Sequence, residues 1–379
     1  MRLAIDCRYV RERPSGIGGY VEALTHRLPA LGPDIRFLLW THRRAGRSLS
    51  RATNVEEVVV RPEPSSLWTL LWPDRFGPLD GVDLFHAPHT ILPRRLTMPT
   101  VVTIHDLLSL EMPRLHRSGW EGWAKRWYYP AAVWRALTQA TRLVTTTSAM
   151  ADRVVRLWPA AKSRTVVIPL AAGPAFCTPV DSAEVGRRVQ RLLGTADPYF
   201  LVVGQNSPTK RHADALRAFA AGAPKPWRLV LLQRDAAGNP LAPLSRALDV
   251  AERVIWLPAV NQPDLVTLLQ GAGALVQPSS YEGFGLPVVE AMACGCPAIV
   301  SDLPTLREVV AEAAIRFPPG DVDALARSIS SVSSSAGLRR ELSARGLERS
   351  GSFSWDDCAR DTLSVYRDAA VRGGHSSFR

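Results

Sequence analysis

The chain has 379 residues, a length that suggests at least two domains, and its 46% hydrophobic content is ordinary for a globular protein with full cores. No stretch approaches the roughly 18 consecutive apolar residues that a membrane-spanning helix needs. The net charge is +11, and the five cysteines (Cys7, Cys177, Cys294, Cys296, Cys358) are odd in number and scattered. That pattern reads as reduced thiols of a cytosolic protein, and Cys294-Gly-Cys296 is not a metal spacing.

The N-terminus, MRLAIDCRYV, carries Asp6 inside a short apolar run, which makes it a strand rather than a signal peptide. Strands are expected at Leu3–Cys7, Ile35–Trp40, Val55–Arg61, Leu84–Ala87, Val101–His105, Leu143–Thr147 and Thr165–Pro169. A second set is expected at Phe200–Val203, Arg228–Gln233, Val254–Leu257, Ala274–Gln277, Ala298–Ser301 and Ile315–Phe317. Continuous apolar runs alternating with helical patterns imply parallel sheets covered on both faces. The chain therefore reads as α/β, with a doubly wound, Rossmann-like domain occurring twice. The expected division is residues 1–172, a hinge at 173–197 marked by Gly173, Pro174 and Pro179, a second domain at 198–354, and a C-terminal helix and tail at 355–379. Two such domains facing each other would leave a cleft between the carboxyl ends of their strands, where ligands of these sheets bind.

Four features carry chemical information. Gly16-Ile-Gly18-Gly19-Tyr20 follows the first strand and opens a helix, so it could cradle phosphate or be only a tight turn. The third glycine comes too early for a dinucleotide fingerprint, and no acidic residue closes the next strand, which argues against nicotinamide binding. Val101-Val-Thr-Ile-His105-Asp106 ends a strand in a His-Asp pair at its carboxyl end, where the histidine is either structural or part of a site facing the cleft. Between residues 94 and 164 there are twelve Lys or Arg against four Asp or Glu, and Trp120, Trp123, Trp127 and Trp134 recur there at helical spacing, with Trp68 and Trp72 upstream. Basic residues with tryptophan suit an anionic membrane surface; core packing and a plain solvated face are the alternatives.

The fourth feature is residues 281–297, YEGFGLPVVEAMACGCP. Gly283, Gly285 and Pro287 rule out one continuous helix, so a glycine turn carries Glu282 and a helix starts near Leu286, with Glu290 one turn inside it. A helix N-terminus attracts phosphate, and carboxylates accept hydrogen bonds from paired sugar hydroxyls. Two carboxylates around such a terminus fit a sugar nucleotide. Asp321-Val-Asp323 matches a metal-binding Asp-x-Asp by spacing, but after Pro318-Pro-Gly320 it reads as a helix start, where carboxylates are common caps.

Glu282-Gly-Phe-Gly-Leu-Pro-Val-Val-Glu290-Ala-Met-Ala-Cys-Gly-Cys-Pro297 resembles the signature of the family 4 (group 1) retaining glycosyltransferases of the GT-B fold. The resemblance continues through Ser15-Gly-Ile-Gly-Gly-Tyr20, Thr103-Ile-His-Asp-Leu107, Thr147-Ser148, and Ser301-Asp302 with Leu306-Arg-Glu308. It implies that Glu290 holds the ribose hydroxyls of a nucleotide-sugar donor and that Glu282 contacts the transferred sugar. Backbone groups of Gly283, Phe284, Gly285 and Leu286 would lie beside them. Lys210 corresponds to the lysine on the donor diphosphate. Many relatives carry arginines where this chain has Gln205 and Thr209, so Arg211 is a further candidate for that role. His105 would lie near the reacting face of the sugar, Asp106 would orient the imidazole or approach the acceptor hydroxyl, and Gly16, Gly18 and Gly19 would shape the acceptor side.

The resemblance further implies retention of anomeric configuration and transfer of a hexose to a lipid-linked or growing cell-surface glycan, with mannose from GDP-mannose favoured over a UDP-hexose. No metal or other cofactor and no nucleic acid are expected. The protein is expected in the cytoplasm, in peripheral contact with the anionic inner face of the membrane. A nucleotide-sugar epimerase and a non-catalytic nucleotide-binding protein are the alternatives from other classes.

Overall fold

The computed structural model describes residues 1–12, 15–64, 66, 77–112, 120–177, 181–233 and 239–374, with only the backbone described at 120–127 and 373–374. The chain forms two compact units, Met1–Leu170 with Ser354–Arg379, and Ala171–Phe353. In the first unit the strands are β1 Arg2–Asp6, β2 Arg36–Thr41, β3 Val55–Val59, β4 Leu84–Ala87, β5 Thr100–Ile104, β6 Arg142–Thr145 and β7 Thr165–Val167. They pair in parallel in the order β3-β2-β1-β4-β5-β6-β7. The second unit contains β8 Tyr199–Val203, β9 Arg228–Leu232, β10 Val254–Leu257, β11 Ala274–Gln277, β12 Ala298–Ser301 and β13 Ile315–Phe317, also parallel, in the order β10-β9-β8-β11-β12-β13.

Burial explains why these runs are strands. All residues of β4, β5, β11 and β12 are buried, whereas the edge strands β3 and β7 are partly exposed. Helices cover both faces of the inner strands, so those strands carry no polar alternation. In each sheet the order reverses once, between β1 and β4 and between β8 and β11. At such a switch point the chain leaves neighbouring strands in opposite directions and opens a crevice beyond their carboxyl ends.

The helix Ser182–Leu193, expected as part of a hinge, belongs to the second unit. Asp181 caps it by accepting from the Glu184 N–H at 3.2 Å, and it buries Val185 and Val189. Its apolar stripe needs a partner and finds one in the helix Gln262–Gly271. The C-terminal helix, Trp355–Gly374, is likewise no separate segment but part of the first unit. It buries Ala359, Leu363, Tyr366 and Ala369 against that unit. A column of hydrogen bonds fixes it there. The Tyr366 hydroxyl lies 2.7 Å from His86 Nδ1, His86 Nε2 lies 2.9 Å from Thr103 Oγ1, and Thr103 Oγ1 lies 3.0 Å from the Tyr20 hydroxyl. Burial first, and then the nearby His105, push the His86 pKa down to about 3, so the imidazole is neutral.

Several cations of the basic 94–164 stretch are committed within the unit. Arg135 donates to the Leu92 and Pro93 carbonyls, Arg164 to the Leu137 and Ala140 carbonyls, and Arg142 pairs with Asp368 of the C-terminal helix. Trp134 packs edge-on to Trp158 at 5.3 Å and is 43% exposed. The side chains of Trp120, Trp123 and Trp127, and all of Trp68 and Trp72, lie outside the described residues.

Tyr366→Phe should leave a nitrogen of a buried imidazole unpaired and cost about 1–3 kcal/mol. Val371→Ala, on the exposed side of the same helix, should change stability by less than about 0.5 kcal/mol. Urea unfolding of the two variants checks both values.

Candidate active site

In the second unit, residues at the ends of β8 and β11 meet at the switch point. β11 runs into Pro278 and the turn 279–285, and the helix Leu286–Ala293 follows. Gly285 has φ +96°, and a Cβ there would lie 2.5 Å from Leu306 Cδ2, so both conformation and space demand glycine. Gly285 caps the helix without any side-chain hydrogen bond, and Pro287 occupies the first turn. Pro287 has no N–H and the Val288 N–H donates to the Gly285 carbonyl at 2.8 Å, so within that turn it is the Leu286 N–H that keeps its capacity for a ligand. Phe284 is buried and its ring packs edge-on to Phe353 at 5.8 Å, so only its backbone can serve the site. Thr305 Oγ1 donates to the Glu282 carbonyl at 2.9 Å and holds the turn in place.

Glu282 is 8% exposed, and its Oε1 accepts from Lys210 Nζ at 2.6 Å, Ser279 Oγ at 2.7 Å and Gln277 Nε2 at 2.5 Å. Lys210 ends a 3-10 turn, Pro208–Lys210, after β8. That turn is tied to the next crossover because the Ser280 N–H donates to the Thr209 carbonyl at 2.8 Å. Gly204, just after β8 at φ +131°, has no atom within 4 Å of a would-be Cβ, so the backbone conformation alone requires it.

Arg211 is directed elsewhere. It sits at φ +49°, donates through Nε to Asp214 Oδ2 at 2.5 Å, and lies against Gly320. It lines an open hollow of about 390 Å³ together with Asn206, Ser207 and Asp214. Lys210 and Glu282 thus share a contact, while Arg211 faces a neighbouring space. Glu290 is partly exposed, and among the described residues its carboxyl has no hydrogen-bond or ion-pair partner. Desolvation pushes its pKa up to about 8. Asp321 Oδ1 accepts from the Ala324 N–H at 2.8 Å and caps the helix Val322–Ser334.

The first unit gathers a second set at the ends of β1, β4 and β5. His105 follows β5, and its Nε2 lies 3.0 Å from the Pro88 carbonyl. A carbonyl only accepts, so Nε2 carries the proton and Nδ1 is the free acceptor. The Tyr20 ring meets the imidazole edge-on at 4.9 Å. Burial, and then the neighbouring His89, push the His105 pKa down to about 4 despite the Pro88 bond and nearby Asp106. Asp106 is exposed and accepts from the Leu108 N–H at 3.1 Å, so the carbonyl of Pro88, rather than Asp106, sets the ring's orientation.

Gly16 opens the first helix, Gly16–Leu31, and Ser15 caps it by accepting from the Gly18 N–H at 3.0 Å. A Cβ on Gly18 would crowd Ser15 Oγ and the Tyr9 carbonyl at 3.0 Å, whereas Gly19 faces open space. Sequence reasoning had no signal for the Asp6–Arg8 pair at the end of β1. Arg8 is fully buried, grips Asp6 through Nε at 2.7 Å and Nη2 at 2.6 Å, and donates to the Pro62 carbonyl at 2.8 Å. It also missed Gln277, the last residue of a predicted strand, and Ser279 in the turn that follows. Among the described residues no group of three His, Cys, Asp or Glu side chains is placed to hold a metal ion, and no helix is long and apolar enough to cross a membrane.

Comparison with known proteins gives concordant results in both units. Residues 14–172 match the family model "Glycosyltransferase Family 4" and residues 187–349 match "Glycosyl transferases group 1". The chain is 29% identical to the O-antigen chain mannosyltransferase B of Escherichia coli, across 97% of this chain and 100% of the relative. Among solved structures, the sucrose-phosphate synthase of Thermosynechococcus elongatus superposes with a TM-score of 0.76 at 22% identity, covering 97% and 98% of the two chains. WaaG, a glycosyltransferase involved in lipopolysaccharide biosynthesis, superposes with a TM-score of 0.75 at 15% identity, covering 96% and 99%.

The Glu290 carboxyl provides a test of this geometry. Its folded pKa of about 8 lies above the model-compound value of 4.5, so its stability contribution is present below pH 4.5 and is lost as pH rises towards 8. Glu290→Gln carries no charge and escapes that loss. Thermal unfolding should show the variant gaining on the wild type between pH 5 and pH 9; a gap independent of pH would place the carboxyl in a solvated setting.

Proposed function

The chain belongs to the family 4 (group 1) glycosyltransferases and has their GT-B fold, and on that premise we propose that it transfers mannose from GDP-mannose, with retention, to a lipid-linked or growing cell-surface glycan. The observation that carries the donor site is the Lys210–Glu282 contact beside the uncapped helix at Leu286. The diphosphate takes Lys210 and the Leu286 N–H at the start of the helix, which offset charge growing on the leaving group. Glu290 accepts the ribose hydroxyls, and Glu282 accepts a hydroxyl of the transferred sugar. The backbone of Gly283, Phe284 and Gly285 lines the same turn. His105, with Nδ1 free, serves the reacting face of the sugar, Asp106 the acceptor hydroxyl, and the Gly16–Gly19 turn the acceptor.

The choice of mannose is supported by the Escherichia coli relative, an O-antigen chain mannosyltransferase, which aligns over nearly all of this chain. The acceptor class is supported by the same relative. Trp134 and the exposed Arg94, Arg95, Arg156 and Lys162 favour peripheral contact with an anionic membrane on the cytoplasmic face.

The test incubates the protein with GDP-mannose or UDP-glucose and solvent-extracted lipid-linked glycans, and follows nucleoside diphosphate release and sugar in the lipid phase. Mannose should pass to the lipid phase; transfer from UDP-glucose instead would move the donor to a UDP-hexose, and donor epimerisation without acceptor would replace transfer altogether. Lys210→Ala should lower turnover roughly 10²–10³-fold. Full activity in that variant together with its loss in Arg211→Ala would shift the diphosphate to the hollow beside Asp214. Co-sedimentation with anionic liposomes at low salt should fall as salt rises; no binding at low salt removes the membrane contact.

A further inference from the structure

Gln277 closes β11 and Ser279 lies two residues beyond it, with exposures of 2% and 0%. Buried polar side chains persist where their hydrogen bonds are made, and both of these converge on one atom. Gln277 Nε2 donates to Glu282 Oε1 at 2.5 Å and to Ser279 Oγ at 3.1 Å, and Ser279 Oγ donates to the same Oε1 at 2.7 Å. The carboxylate can only accept, so it fixes which end of the Gln277 amide faces it and where the serine proton points. With Lys210 Nζ at 2.6 Å, three donors crowd onto Oε1. Oε2 takes no protein hydrogen bond among the described residues and is not among the buried unpaired atoms, so it reaches solvent. One oxygen is saturated from beneath while the other is presented outward.

We infer that Gln277 and Ser279 are positioning residues that lock Glu282 with Oε2 towards the transferred sugar and keep it locked when Lys210 leaves for the diphosphate. The inference rests on the proposed contact between Glu282 and that sugar. Lys210 cannot do this work itself, because its ammonium is the group the diphosphate withdraws. A glutamate left with no donor in a buried turn would lose both its geometry and the hydrogen bonds that offset its desolvation. Two fixed donors on the strand end remove that cost, and only one of three contacts to Oε1 has to be exchanged. A Val or Leu at 277 would pack the strand equally well, so a buried amide there answers to the carboxylate rather than to the sheet.

The ratio of affinities for a nucleotide sugar and its nucleoside diphosphate isolates the sugar contacts and needs no acceptor. Calorimetry with GDP and GDP-mannose, and in parallel UDP and UDP-glucose, measures it. Ser279→Ala and Gln277→Met should each weaken the nucleotide sugar roughly tenfold relative to the diphosphate. Affinity for the diphosphate alone should stay near that of the wild type, and Ser279→Thr, which retains the hydroxyl, should keep the wild-type ratio. Glu282→Ala gives the full loss for reference. Unchanged ratios in Ser279→Ala and Gln277→Met beside a lowered ratio in Glu282→Ala would overturn the inference and leave the donor reading standing. An unchanged ratio in Glu282→Ala, or no binding of either pair, would remove the sugar contact and the inference together. Ser279→Ala deletes a single atom, so it decides the matter if Gln277→Met does not fold.

Discussion

Parallel pairing is the constraint from which the site arrangement follows. Every strand of a parallel sheet ends on the same rim, so residues far apart in sequence are delivered to one edge without any loop having to reach across. In the second unit, β8 and β11 are hydrogen-bonded neighbours though 71 residues separate Ser280 from Thr209, whose carbonyl it meets. That adjacency puts Lys210 on Glu282. In the first unit the same rule assembles Arg8, His89 and His105 from the ends of β1, β4 and β5. The loops differ in the two units; the rim does not.

The two glutamates of the signature live in different electrostatic settings. Glu282 faces three donors, one of them a cation, and is at rest as part of a closed network. Glu290 has no partner among the described residues, and desolvation raises its pKa to about 8. A group in the first state must exchange a partner when ligand arrives, whereas a group in the second gains its first one. The Lys210–Glu282 pair avoids leaving an ammonium and a carboxylate separately desolvated, which would cost more than the pair.

The C-terminal helix plays a comparable part for His105. Through Tyr366, His86 and Thr103 it is joined to the Tyr20 hydroxyl, and the Tyr20 ring packs edge-on to the imidazole. Every member of that column is buried. Removal of one leaves another unsatisfied, so the column behaves as a unit and ties the last helix of the chain to the position of a residue some 260 positions earlier in the sequence.

Strand identity was legible in the sequence because an inner parallel strand must be apolar, and short apolar runs such as those at β5, β11 and β12 stand between glycine, proline and helical signals. The glycine turn and the helix start at Leu286 were legible too, since φ +96° at Gly285 and a proline in the first turn are local requirements. So was the local arrangement of residues 281–297, because a glycine turn opening a helix between two carboxylates is written in consecutive residues. Other features were decided only by tertiary structure. The assignment of the Ser182–Leu193 helix to the second unit depends on where Val185 and Val189 find cover. The return of Trp355–Gly374 to the first unit depends on a tyrosine meeting a histidine 280 residues away. The roles of Gln277, Ser279 and the Asp6–Arg8 pair depend on which side chains burial brings within 3 Å. Sequence encodes periodicity and backbone requirement locally, but hydrogen-bond partnership between side chains is a property of the packed sheet rim, and no local pattern announces it.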